Sequence, residues 1–521
     1  MIVNAHRMRR MLSGDDGIAM LTVIGVMLVV TALAIGSFTL ARQVLHTSVR
    51  IEDESRAYRA ATSGLDTVLS TFTEDSTGFP VAGTTPDGSY TVSVADLGGG
   101  EFRLVSVGTG LDATTETVTQ QFYYMNLWKM NFAGTGPQSL LSGTSGFNGT
   151  SNILGPFYMK GNFRVEQNMM VREGPLFVRG GSISVASNGL LGTPSIPIKV
   201  FCDGTVPANT GGTTTSRGVY ISTMSRSVPD ITLPVLDDAL MQQWASKAQA
   251  ESIDNIMGPA SRTPQAANLE ASGWNPGSYR TIQPPNSGTW SRAKAHATNA
   301  NYKFIGPASG TISAMGTGTT NLTIGGTTFG SWGSVVTTDG VSVPGDGRYT
   351  LANRHDDFAY DSVRKILYIE GTVFVDGSVT FTEDMTYIGN GTIVANGSIR
   401  LNGALRPYGT NSQGENNRWA LGLVTPTNMD FDANDSNNYS IMTEEQLRAA
   451  TPTFAGAFYA QGAVTYLRTN MSVRGSIIAG KITSSSPNTY MITNPLLPLY
   501  LPESLPGVNT GLLFPGLWTR S

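Results

Sequence analysis

Few side chains in this 521-residue chain are suited to covalent or metal chemistry. There are four histidines, His6, His46, His296 and His355, and one cysteine, Cys202. A single cysteine rules out an intrachain disulfide and a CxxC metal or redox site. Cys202 precedes Asp203 and Gly204, so a nucleophilic thiol is one reading; a small buried hydrophobe at a strand end is the preferred one. His355-Asp356-Asp357 is the one compact polar cluster, of a kind that could hold a metal or move a proton. No second histidine lies at helical spacing from it, and it reads as a charged loop before a strand at Ile366. Asp430-x-Asp432-x-Asn434 copies the opening of a calcium loop. Asp435 stands where that loop needs Gly and Ile441 where it needs a bidentate Glu, so an Asn/Asp turn with local hydrogen bonds is expected. GxSxG, HExxH, phosphate-loop and dinucleotide patterns are absent. No catalytic residue, metal or cofactor is assigned.

The composition points to many short strands. Only 14% of residues are charged and the net charge is −4, so no basic field for nucleic acid is present and none is expected as a partner. The 60 glycines stand with Thr, Ser and Asn between short apolar runs, which suits sandwiches, barrels or solenoids.

One helix must anchor the rest. From Ile18 to Ala41 no charge interrupts about 24 positions, enough at ~1.5 Å per residue to cross a bilayer core. Arg7, Arg9 and Arg10 precede it and mixed charges follow, so the N-terminus is expected in the cytoplasm and the bulk outside it. Val44, Leu45, Val49, Ala57, Ala61, Leu65, Val68 and Phe72 continue on one helix face, with Arg50, Glu52, Asp53, Glu54, Arg56 and Arg59 as a polar surface. A secretory signal cleaved near Ala32-Leu33-Ala34 and an unprocessed anchor are the competing readings.

The short basic leader ends in Gly17, followed by Ile18-Ala19-Met20-Leu21. This resembles the class III leader of type IV pilins and pseudopilins, particularly PilX-type minor pilins. The stretch Arg56-Ala57-Tyr58-Arg59-Ala60-Ala61-Thr62-Ser63-Gly64-Leu65 resembles the segment that ends the helix in that family, with Thr62 where Glu is usual. The resemblance implies that a prepilin peptidase cuts between Gly17 and Ile18. Thr22 would then be the fifth mature residue, the filament-core position where major pilins carry Glu. A Thr there resembles tip-type minor pilins and argues against a bulk subunit. The resemblance also implies other pilin or pseudopilin subunits as partners through this helix, and the inner membrane.

Further along, Ser89 to Tyr124 reads as a three-strand meander with turns at Gly98-Gly99-Gly100 and Gly108 to Asp112. An internal repeat follows. Gly371 to Phe381 aligns with Gly391 to Leu401 at a step of about 20 residues, and Gly456 to Tyr466 and Gly155 to Val165 share the form. Gly174 to Val185 is a looser copy and Gly475 to Ile482 a shortened one. Such Gly-cornered units predict a β-solenoid; Gly-rich hairpins are the plainer alternative. The expected fold class is α+β, mostly β. The divisions are leader 1–17, helix 18–72, meander 73–128, solenoid parts 150–204 and 362–482, a long insertion 205–361 and a Pro-rich extended tail 483–521. Within the insertion, Asp237 to Ile256 has helical spacing, while about Thr263 to Asp346 reads as loops and exposed strands.

Two functions are carried forward. One is a structural minor or tip subunit of a pilus-like or secretion filament, its β-rich head priming assembly or binding a surface or polysaccharide. The other is a membrane-tethered β-helix enzyme acting on polysaccharide, which needs carboxylates converging on one face. The outward candidates are Asp376, Glu383 and Asp384; matching positions elsewhere hold Asn396, Lys160 and Gln461, so no dense acidic ladder is expected.

Overall fold

The computed structural model describes residues 15–72, 78–98, 101–134, 151–166, 168–210, 217–228, 230–257, 303–307, 311–326, 335–336, 342–343, 358–409, 419–433, 435, 437, 439, 442–484, 488–494, 497–507 and 511–520. The chain is mostly β with one long N-terminal apolar helix, and it divides into two units: Met1–Tyr124 with Pro515–Ser521, and Met125–Phe514.

The first unit is built on the helix Asp15–Thr71, 57 residues and so about 85 Å long. It starts three residues ahead of the expected Ile18. Four antiparallel strands follow in sequence order: β1 Val81–Thr85, β2 Gly88–Gly98, β3 Glu101–Thr109 and β4 Thr115–Asn126. Alternation buries Val92, Phe102, Leu104, Val118 and Phe122 on one face, opposite Ala57, Ala60, Ala61, Leu65 and Val68 of the helix. Phe72 closes this core edge-on to Phe102 and Phe122, at 5.1 and 4.9 Å between centroids. Gly108 lets β3 lie directly on the helix, since a Cβ there would stand 2.0 Å from the Ala57 carbonyl oxygen. The expected three-strand meander is thus extended by β1 and by a fifth strand, Gly511–Arg520, beside β4.

The second unit holds a 24-stranded, predominantly parallel sheet around one apolar core. Its strands form three stacks. In the first, pairing runs from Phe304 to Phe374, Val394, Val424, Tyr459 and Ile478, then to Phe132, Tyr158, Phe177 and Phe201. The second includes Ile324, Phe381, Leu401, Phe431 and Tyr466. The third runs through Met385, Leu405, Phe454, Val473, Met491, Ile153, Val171, Leu191 and Val219. Gly371 pairs with Gly391 and Val379 with Ile399, so the 20-residue step keeps each inward side chain over its equivalent.

The stacking order is not the sequence order. The chain enters the stack midway at Asn131–Ala133, advances to Ile221–Ser225, restarts at the far end with Phe304–Ile305, and advances again to Thr489–Thr493. The return path, residues 228–248, crosses the outer face of the first stack. Ile231 N donates to Tyr158 Oη (3.2 Å), Leu236 N donates to Gln461 Oε1 (3.1 Å), and Tyr459 Oη donates to the Pro234 carbonyl. The helix Asp238–Met257 continues this path with Met241, Trp244, Ala245 and Ala248 buried. Strands covered on both faces carry adjacent apolar residues, as positions 373–375 and 393–395 do.

Two expected segments are organised differently. Gly218–Val219, Ile221–Ser225, Phe304–Ile305, Leu322–Ile324 and Phe358–Asp361, all within the expected insertion, belong to the large sheet. The expected extended tail supplies Thr489–Thr493 to the third stack and Gly511–Arg520 to the β1–β4 sheet. Between them, Thr372 and Ser504 hydroxyls bond at 2.6 Å, and Thr392 Oγ1 donates to the Glu503 carbonyl.

Candidate functional site

The long helix changes character about two thirds of the way along, after Ile51. From Met20 to Ile51 its large apolar side chains are exposed on every side, Met27 and Leu28 at 66% and Phe38 at 71%. Among the described residues this helix is long and apolar enough to cross a membrane, with a mean hydropathy of 2.4 in its most apolar window. The threonines within it do not break the apolar surface. Thr31, Thr39 and Thr47 hydroxyls donate to the carbonyls of Met27, Ile35 and Gln43, at 2.7, 2.7 and 2.8 Å, so their polar atoms are satisfied inside the helix. Gly17 and Ile18 lie in the first turns and Thr22 on the exposed segment.

Past Ile51 the helix is seated. Arg50 and Glu54 pair at 2.9 Å, and Arg56 and Glu52 at 2.6 Å, both one turn apart on the surface. Arg59 reaches Asp87 in the β1–β2 turn at 2.8 Å. Asp53 departs from the expected polar surface: it is 4% exposed. Its carboxylate accepts from the backbone N–H of Asp112 (3.2 Å) and Thr114 (3.3 Å) in the β3–β4 turn. The Thr114 hydroxyl and these N–H groups outweigh the cost of burial and hold the Asp53 carboxyl below its ordinary 3.8. Gly110 makes the room, because a Cβ there would stand 2.4 Å from Asp53 Oδ1. The sequence signal for this seat was position: Asp53 is one turn ahead of Ala57 on the buried face. Thr62, where the resembling family has Glu, is half-buried and donates to the Tyr58 carbonyl at 2.9 Å.

The acids of the large sheet are tied to separate partners. Asp376, expected to face outward, is buried; it accepts from Ser313 N (3.1 Å), Ser313 Oγ (2.9 Å) and Asn396 Nδ2 (2.7 Å). Its outer position is covered by the segment around Ser313, which the repeat pattern did not reveal. Glu383 pairs with Lys365 and accepts from Tyr360 Oη at 2.7 Å. Asp384 accepts from Ala404 N at 2.7 Å. Of the matching positions, Lys160 pairs with Asp230 at 2.6 Å and Gln461 holds the return path. Asp432 is clamped between Arg400 and Arg468, and although burial opposes it, the two guanidiniums hold its carboxyl low. Asp430 is half-buried and its carboxyl is raised, burial being the main cause. Asn434, His355, Asp356 and Asp357 lie outside the described residues. Cys202 is buried at the end of Ile198–Cys202, its thiol pushed up by burial, with Sγ 3.4 Å from the Gly181 carbonyl.

No family model matches the chain. No curated protein matches it. Among solved structures, it is similar to the competence-associated pilin ComZ from Thermus thermophilus. The identity is 17% and the TM-score 0.40, over 90% of this chain and 97% of that one.

Proposed function

We propose that the chain is a membrane-anchored, pilin-like subunit of a type IV pilus-like or secretion filament, in a minor or tip position. The observation that carries this is the divided helix, its large apolar side chains bare from Met20 to Ile51 and its remainder, Asp53 to Thr71, seated on an antiparallel sheet. So much uncovered apolar surface is unfavourable in water and calls for lipid or the helices of neighbouring subunits. Gly17 followed by Ile18 supports removal of the leader by a prepilin peptidase. Thr22 supports a minor or tip place, because a subunit lacking the fifth-position carboxylate has no buried partner to offer a neighbour's amine. The basic leader supports an inner-membrane topology with the N-terminus cytoplasmic.

The second unit reads as a β-solenoid head, supported by the 20-residue step between the rungs that begin at Gly371 and Gly391 and by the three parallel stacks. Its role in this proposal is to prime assembly or to adhere to a surface or polysaccharide.

Mass spectrometry of the mature N-terminus, from membranes or sheared filaments, tests the proposal. A chain starting at an N-methylated Ile18 is expected. A start at Ile35 or Gly36 would mean ordinary signal cleavage and overturn it.

A further inference from the structure

We propose that Gly511–Arg520 latches the β1–β4 sheet, so that this sheet closes only once that strand has been made. On one side β4 pairs with β3, from Glu101 opposite Tyr123 to Thr109 opposite Thr115. Its other side takes Gly511–Arg520. Without that strand, β4 would present a row of unpaired N–H and C=O groups. Pro515 has no N–H to donate, which suits an outermost strand and not an interior one.

Side chains fasten the end of the latch. Arg520 Nε donates to Glu116 Oε2 on β4 at 3.0 Å. The same guanidinium lies 4.7 Å from the centroid of the Tyr58 ring. Tyr58 belongs to the long helix, next to the buried Ala57, so Arg520 joins strand and helix at one point. Glu116 and Arg520 are 404 positions apart. Helix and β1–β4 are made before this strand, so the β4 edge stays open until residues 511–520 arrive. A chain cut short would keep that edge free to accept a strand from another copy. The latch acts whether or not the helix enters a filament.

Hydrogen exchange on the full chain in detergent, compared with a chain stopped after Thr510, tests it. Amides of residues 115–124 should exchange about tenfold faster or more in the shortened chain, while those of 366–395 keep their protection. Unchanged exchange in β4 would overturn the latch, as would equal loss across both units. In the full chain, Arg520→Ala should speed exchange around Glu116 and leave the rest of the sheet as it was. No change there would overturn the part given to Arg520.

Discussion

A carboxylate taken out of water needs donors around it, and Asp53 and Asp376 are two such groups. The folded pKa of Asp53 lies below its ordinary 3.8, so its contribution is complete above that value and is lost as pH falls through the lower, folded one. Asp53→Asn should therefore lower the melting temperature at neutral pH, and the gap from the native protein should narrow on strong acidification. Asp376 and Asn396 form a buried pair at 2.7 Å between neighbouring strands. Asn396→Asp would set two carboxylates face to face and raise the pKa of one of them. A loss of about 2 kcal/mol or more is expected at neutral pH, recovering as the pH is lowered through that raised value. Denaturation at several pH values checks both. What covers each acid was not legible locally. Thr114 is 61 residues from Asp53 and Ser313 is 63 from Asp376, so what covers each acid depends on distant chain.

At the scale of elements, strength of pattern decided legibility. The long helix and the helix Asp238–Met257 have enough turns for their spacing to show, and the repeats from Gly371 to Leu401 have two copies in step. Two- and three-residue strands such as Phe304–Ile305 and Leu322–Ile324 contain no period to read; only a neighbouring strand makes them strands. The return path over the first stack was equally hidden. It is fixed by hydrogen bonds from side chains on the sheet, among them the one that Tyr158 accepts from Ile231 N. Tyr158→Phe leaves that N–H buried without its acceptor. It should cost about 1–3 kcal/mol and make residues 228–248 more susceptible to limited proteolysis.

At the scale of the molecule, the out-of-order stack makes early and late chain depend on each other. Strand Met471–Ser484 is followed in the stack by Asn131–Ala133, and Thr489–Thr493 by Ser151–Leu154. Asn131 Oδ1 accepts from Ile477 N at 2.9 Å across 346 positions, and Thr493 Oγ1 donates to the Leu154 carbonyl at 3.1 Å. A chain stopped after Asn470 should thus lose more than the strands removed. Hydrogen exchange should show residues 131–133, 151–154 and 157–160 deprotected as well, because their supporting edge is gone. Closing contacts so remote in sequence also makes slow folding the expectation.

The long apolar helix was legible in the sequence alone, because a run of apolar residues without charge specifies its own helix. So was the repeat, because equal spacing of Gly and apolar positions is a local property of the chain. Tertiary structure decided which acids are buried, in what order the strands stack, and that Gly511–Arg520 belongs beside β4. Each of these depends on which edge or face is left uncovered after the rest has folded, and uncovered surface is a property of the assembled molecule.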